Sequence, residues 1–385
     1  MTTFQGYRRP DGRVGIRNHV LVLPAVMDAN HVVERIGRAV PEAVTVTHPA
    51  GRSQVGADFE QTQRTMAGFA ANPNVAAVLI VGLGCETNES QALAAGIVAR
   101  GQRVEVLGIQ DAGGTTETIA RGIELARSLL AEVAGYARTT CSVSELIVGT
   151  ECGGSDGFSG ITANPALGHA SDRVVGEGGT VILAEVPELV GAEHLLGARA
   201  TPPVAAKLYE LIERVEARAR TMRVDMRYGN PTQGNIAGGI TTIEEKSLGA
   251  AYKGGSTPLR EVVEYAERPS ERGLVVMDTP GQDIEQLTGM VAGGAQIVVF
   301  TTGRGTPTGS PIAPVIKVAT NTPLFERMRE NMDVDAGTVL SGTRTLENVG
   351  DEIFAWIVAA ANGREPAAEA LGFRDFAITR IGPSS

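Results

Sequence analysis

Apolar residues fall into short unbroken runs, separated by glycine-bearing polar turns and by stretches with a helical period. The first runs are His19-Val-Leu-Val-Leu-Pro24, Val44-Thr-Val-Thr-His48, the almost wholly apolar stretch 75–84, and 104–109. Continuous runs of that length are what strands covered on both faces require. Between them lie helical patterns at 29–40, where Val32, Val33 and Ile36 share a face, and at 58–71, 89–100 and 115–137, with Asn88 placed to cap the third. A polar stretch at 138–144 then separates a second series. Here the run Glu145-Leu-Ile-Val-Gly-Thr150 feeds a glycine-rich loop, 151–160, and a helix that Asn164 caps and Pro165 opens. Further strands are expected at 180–184, 273–277, 295–301 and 315–318, with helices at 202–220, after Thr242, and at 323–331 and 346–361. Strand–helix alternation with crossover connections predicts an α/β chain of two doubly wound, mainly parallel-sheet domains with Rossmann-like layering, covering 1–140 and 141–385. Sites in such sheets lie outside the carboxyl ends of the strands.

Composition narrows the class. The chain has 385 residues, 43% of them hydrophobic, with 48 glycines and only 4% aromatics, which suits tight strand-to-helix turns better than a β-sandwich. A formal charge of −10 without a Lys/Arg block argues against nucleic acid as a partner. No stretch approaches the roughly 18 apolar residues of a membrane span, and the N-terminus lacks the pattern of a signal peptide, so a cytoplasmic protein is expected. The three cysteines, Cys85, Cys141 and Cys152, are an odd number in a long chain and read as free thiols rather than a disulfide framework.

The chemistry gathers at the predicted strand ends. Four glycines in Cys152-Gly-Gly-Ser-Asp-Gly-Phe-Ser-Gly160 allow backbone N–H groups to converge on an anion beside a helix start, and Cys152, Ser155 and Asp156 add side chains to that seat. The strand at 180–184 delivers Glu185, Glu188, Glu193 and His194 just past its end. Two more loops of this kind carry His48 with Arg52, and Arg304 in Thr302-Gly-Arg-Gly-Thr306; Cys85 and Glu86 end the third strand. Lys246 and Lys253 lie seven apart, nearly on one helix face, and either would serve as a base. The same motifs also read as tight turns, surface lysines and a small buried thiol. A dinucleotide-binding oxidoreductase is disfavoured, because no Gly-x-Gly-x-x-Gly follows Pro24.

Gly6-Tyr-Arg-Arg-Pro-Asp-Gly-Arg-Val-Gly-Ile-Arg-Asn18, Gly82-Leu-Gly-Cys-Glu86, Cys152-Gly-Gly-Ser-Asp-Gly-Phe-Ser-Gly-Ile-Thr-Ala-Asn-Pro165, Gly191-Ala-Glu-His-Leu195, the stretch 238–249 and Phe300-Thr-Thr-Gly-Arg-Gly305 resemble the altronate/galactarate dehydratase family, in family order. The resemblance implies a metal-dependent, typically iron-dependent, hydro-lyase that turns a hydroxylated sugar acid into a 2-keto-3-deoxy acid. The family also includes the large subunit of sulfolactate sulfo-lyase, which eliminates sulfite, and a non-catalytic scaffold subunit is the reading of another class. It further implies a stand-alone large subunit working with a separate small SAF-domain subunit, in a homo- or hetero-oligomer.

Site roles follow as expectations. Cys85, Cys152, Glu86 and Glu193 are expected to hold a divalent transition metal, Fe(II) with Mn or Zn as alternatives. His48, Arg52, Gly153, Gly154, Ser155, Asn164 and Arg304 are expected to bind a small acidic substrate. His194, Lys246 and Asp156 are expected to carry the catalysis. One departure stands out: family members often have a cysteine where this chain has Arg52, in His48-Pro-Ala-Gly-Arg52.

Overall fold

The computed structural model describes residues 1–382. The chain opens with β1 (Thr3–Arg8) and β2 (Val14–Gly15), then runs β3 (His19–Pro24), α1 (Asn30–Ala39), β4 (Val44–Thr45), α2 (Gly56–Ala70), β5 (Val75–Gly82), α3 (Ser90–Val98), β6 (Arg103–Gly108) and α4 (Thr115–Val133). The four strands β3 to β6 form a parallel sheet in the order β4-β3-β5-β6. Next, β7 (Thr139–Ser142) turns back to pair antiparallel with β1, which also pairs with β2. The polar stretch read as a separator is therefore itself a strand, and the arginine-rich opening is held rather than solvated. Arg9 is buried on Pro73 O and Arg17 O, and Arg17 pairs with Glu369.

The second series comprises β8 (Ile147–Cys152), α5 (Ala163–Gly176), β9 (Thr180–Leu183), α6 (Glu193–Gly197), α7 (Pro202–Thr221), α8 (Gln233–Ala237), α9 (Ile243–Ala251), β10 (Leu259–Val263), β11 (Gly273–Met277), α10 (Asp283–Ala292), β12 (Ile297–Thr302), β13 (Val315–Ala319), α11 (Thr322–Arg327), β14 (Val334–Asp335), α12 (Leu346–Ala361) and α13 (Ala367–Ala370). Its seven strands form a parallel sheet in the order β10-β11-β9-β8-β12-β13-β14.

The apolar runs are continuous because each strand serves two cores. Val20 and Val22 face α1 and α4, whereas Leu21 and Leu23 join a middle core shared with the seven-stranded sheet. In that sheet Val181 and Leu183 face the α5 and α12 side, while Ile182 and Ala184 face the middle core together with α2 and α10. Period-two alternation thus persists in β3 and β9 although neither face of these strands is polar.

Chain order reverses between β8 and β12: the chain leaves β8 toward β9 on one side and returns to β12 on the other. In open α/β sheets the crevice at such a reversal is where ligands bind. Three local expectations shift. The helix after the glycine-rich loop starts at Ala163 with Thr162 at its N-cap, so Asn164 lies inside it. Asn88 gives its side chain to Ala25 O rather than capping α3. The second run yields only the two residues of β4, because it bends toward His48 after Thr45.

Candidate active site

Cys152 is the last residue of β8, and the register that pairs Thr150 with Leu183 carries Cys152 alongside Glu185. The Cys152 N–H donates to Glu185 Oε1 at 2.9 Å. Glu185 holds a left-handed backbone, φ 70°, which costs a side-chain-bearing residue on the order of 1 kcal/mol. Its N–H to Thr279 Oγ1, 2.7 Å, fixes that conformation. A single 3-10 turn, closed by the Glu188 N–H on Glu185 O, then aims Glu188 at the same point. Cys152 Sγ stands 3.5 Å from Glu185 Oε2 and 3.5 Å from Glu188 Oε2.

Two lysines complete the cluster. Lys253, in the 3-10 turn after α9, donates from Nζ to Cys152 Sγ at 2.9 Å and pairs with Glu185, both side chains being fully buried. Lys246, on α9, reaches Glu188 Oε1 at 2.5 Å and Asn230 Oδ1 at 3.0 Å. Burial pushes the Cys152 thiol up against the opposing pull of Lys253.

The adjoining loop makes the wall. Gly153 donates to Thr301 O, and Gly303 and Arg304 donate to Gly154 O, so the loops after β8 and β12 are laced together. Asn164 joins Thr301 Oγ1, at 2.6 Å, to Gly249 O, at 3.0 Å. A cavity of about 490 Å³ opens beside them, lined by Ser155, Asp156, Asn164, Lys246 and Tyr252. Ser155 Oγ is buried there with no hydrogen-bond partner among the described residues. Asp156 is already fully engaged, accepting from Ser159, Thr320 and Asn321 side chains and the Phe158 N–H.

The structure thus brings together Cys152, Gly153, Gly154, Ser155, Asp156, Asn164 and Lys246. The remaining expected residues stand outside the cavity lining and the Cys152 cluster. His48 is buried, with Nε2 on Pro24 O at 2.7 Å and Nδ1 accepting from Ala50; burial lowers it to about 4, so it pins its loop as a neutral ring. Arg52 is exposed and paired with Asp28. Cys85 is exposed against Gln110, and Glu86 turns back onto the Gly84 N–H. Glu193 accepts from Gly191, His194 is exposed, and the Arg304 side chain is exposed.

Among the described residues, the thiol and carboxylates of Cys152, Glu185 and Glu188 are the group whose ligand atoms all lie within 4.8 Å of one another. One soft and two hard donors suit Fe(II), Mn(II) or Zn(II) better than magnesium. The two buried carboxylates demand positive charge, which the lysines now supply. The residues present therefore fit a divalent metal. Sequence reasoning saw Glu185 and Glu188 at the strand end without giving them a role, and weighed Lys253 only against Lys246.

A second charged group went unread: Glu151 on β8, Asp283 at the start of α10, and Lys317 on β13. Register places Glu151 and Lys317 on either side of Phe300. Lys317 Nζ lies 3.3 Å from the Phe300 ring centroid, and among the described residues neither it nor either Glu151 carboxylate oxygen has a hydrogen-bond partner. Burial, then Asp283, raises Glu151 well above the carboxylate range, and burial lowers Lys317 to about 7. A charged residue inside an otherwise apolar strand was the available signal. Because Lys317 releases its proton in the native state near pH 7 but near 10.4 when unfolded, its contribution to stability rises between those values and is lost as pH falls through 7. Lys317→Met is therefore expected to stabilise the protein at pH 6 by about 1–4 kcal/mol and to flatten that rise, as urea unfolding at pH 6 and 9.5 would show.

Residues 6–134 match the family model "D-galactarate dehydratase/Altronate hydrolase, second domain", and residues 143–384 match "D-galactarate/Altronate dehydratase, C-terminal". The chain belongs to the altronate/galactarate dehydratase family. Within that family it is 40% identical to the (2R)-sulfolactate sulfo-lyase subunit beta of Chromohalobacter salexigens, across 98% of this chain and 97% of that one. It is 37% identical to altronate dehydratase of Bacillus subtilis, across 99% of this chain and 78% of the relative. Galactarate dehydratase (L-threo-forming) of Escherichia coli is 36% identical, across 94% and 73%. These relatives are lyases, and this altronate/galactarate dehydratase family member is an enzyme of that class. No helix among the described residues is long and apolar enough to cross a membrane.

Proposed function

We propose that the chain is a divalent-metal-dependent hydro-lyase, which removes water from a hydroxylated sugar acid to give a 2-keto-3-deoxy acid. One observation carries the reading: a three-donor cluster stands at the reversal point of the sheet beside a cavity lined by Lys246 and by Ser155, whose hydroxyl has no hydrogen-bond partner among the described residues. Cys152, Glu185 and Glu188 would hold the metal. The bound cation would supply positive charge for the substrate carboxylate and polarise the departing hydroxyl.

The protein's own groups do the rest. Ser155 Oγ binds the acid, while the Gly153 N–H on Thr301 O holds the turn to β12 and Asn164 joins β12 to α9. Asp156 acts as a positioning residue between the loop and β13. Lys246 moves the proton at Nζ, with Asn230 orienting it. The reaction breaks C2–H and C3–O, releases water, and leaves an enol that tautomerises to the 2-keto acid. Cys85, Glu86, Glu193 and His194 take no part in these roles, since none lines the cavity or joins the Cys152 cluster. A cytoplasmic location, a separate small SAF-type subunit and an oligomer complete the proposal; the "subunit beta" in one relative's name supports a partner.

The sulfo-lyase relative, matched across 97% of its length, favours a second reading in which sulfite leaves C3 by the same elimination. Assay of the chain, alone and with a small subunit, against sugar acids and sulfolactate decides between them. The expected result is a 2-keto product with loss of activity on chelation and recovery with Fe(II). Sulfite release would transfer the assignment to the second reading, and neither product under any metal would overturn both.

A further inference from the structure

Lys253 makes contacts unlike those of any surface lysine. Its side chain is fully buried, and its ammonium touches two of the three proposed metal donors, Cys152 Sγ and the Glu185 carboxylate. Lys246, by contrast, reaches only Glu188 and does so from the cavity side. The cluster as it stands is balanced, with the Glu185 and Glu188 carboxylates against the Lys246 and Lys253 ammonium groups. A divalent ion would bring two further positive charges into a place where solvent does not screen them. Uncompensated buried charge of that kind costs several kcal/mol, on the order of what a broken buried pair costs. The ammonium and a metal ion would also crowd the same Cys152 and Glu185 donor atoms.

We infer that Lys253 is the resident counter-ion of the metal seat, occupying the cation's place on Cys152 and Glu185 and leaving both when a divalent metal enters. The inference rests on the reading that Cys152, Glu185 and Glu188 hold the metal. Lys253 therefore holds two of the three donors together and sets how tightly the cluster takes metal. It is a positioning residue that also limits affinity.

Cobalt(II) titration of the full chain, read by thiolate-to-cobalt absorption and by competition with a chelator, tests this without an activity assay. Lys253→Gln is expected to bind cobalt roughly tenfold more tightly than the wild type, equivalent to about 1.4 kcal/mol. Lys246→Gln is expected to shift affinity by less. Equal or weaker binding by Lys253→Gln, with cobalt still bound by the wild type, would overturn the inference and leave the metal reading intact. Failure of every form to bind would overturn the metal reading and the inference with it. Should Lys253→Gln not fold, a crystal structure of the cobalt-loaded wild type decides. Lys253 Nζ beyond hydrogen-bond reach of Cys152 Sγ supports displacement, and Nζ still bonded to Sγ beside a seated cobalt ion overturns it.

Discussion

Glu185→Ala is expected to lose turnover by more than about a hundredfold, the scale seen when even an outer partner of a metal ligand is removed. It is also expected to cost about 3–5 kcal/mol of stability. Both effects have one origin. The carboxylate is the partner of a fully buried Lys253, the acceptor of the Cys152 N–H, and one of three proposed ligands. Removing it leaves an ammonium without a counter-charge at 0% exposure and an orphaned amide. Steady-state kinetics measures the first effect and thermal or urea unfolding the second. Glu185→Gln separates them, because it keeps the shape and an acceptor oxygen for Cys152 while removing the charge. A Glu185→Ala protein as stable as the wild type would show that the Lys253 pair does not hold this region together.

The second large effect belongs to Gly153→Ala. A Cβ there would come within 2.5 Å of Asp283 Oδ2 and 2.6 Å of Phe300 Cζ, and the ring is pinned in turn beneath Lys317. The fully buried Phe300 ring cannot retreat freely, so the loop has to move. Overpacking of this kind costs about 1–3 kcal/mol. Displacing Cys152 and Ser155 by about an ångström is expected to lower kcat roughly a hundredfold. The check is kcat and KM together with a melting curve: a fall in kcat far beyond what the lost stability explains marks a positioning effect.

These two residues also show what the chain disclosed before its coordinates. Gly153 and Cys152 were legible because a glycine-rich turn between an apolar run and a helix is a local pattern. The parallel sheets were legible for the same reason, since every buried strand writes a continuous apolar run. Glu185 was visible past a strand end, but its importance depends on β9 lying beside β8 in a register that only pairing sets. Lys253 is 101 residues from Cys152, and no local signal joins them. The structure parts Cys85 from the Cys152 cluster, although both follow parallel strands, because each ends a strand of a different sheet. The strands β1 and β7 went unread because their sequences are largely polar and they pair with each other across more than 130 residues.

The central claim is that Cys152, Glu185 and Glu188 hold a divalent metal. X-ray absorption of the zinc-loaded protein tests it most directly, read alongside zinc-loaded Cys152→Ser. The account predicts one sulfur neighbour at about 2.3 Å with oxygen donors in the wild type, and loss of that sulfur in Cys152→Ser. A wild-type spectrum with oxygen and nitrogen neighbours only, or a sulfur that persists in Cys152→Ser, would contradict it.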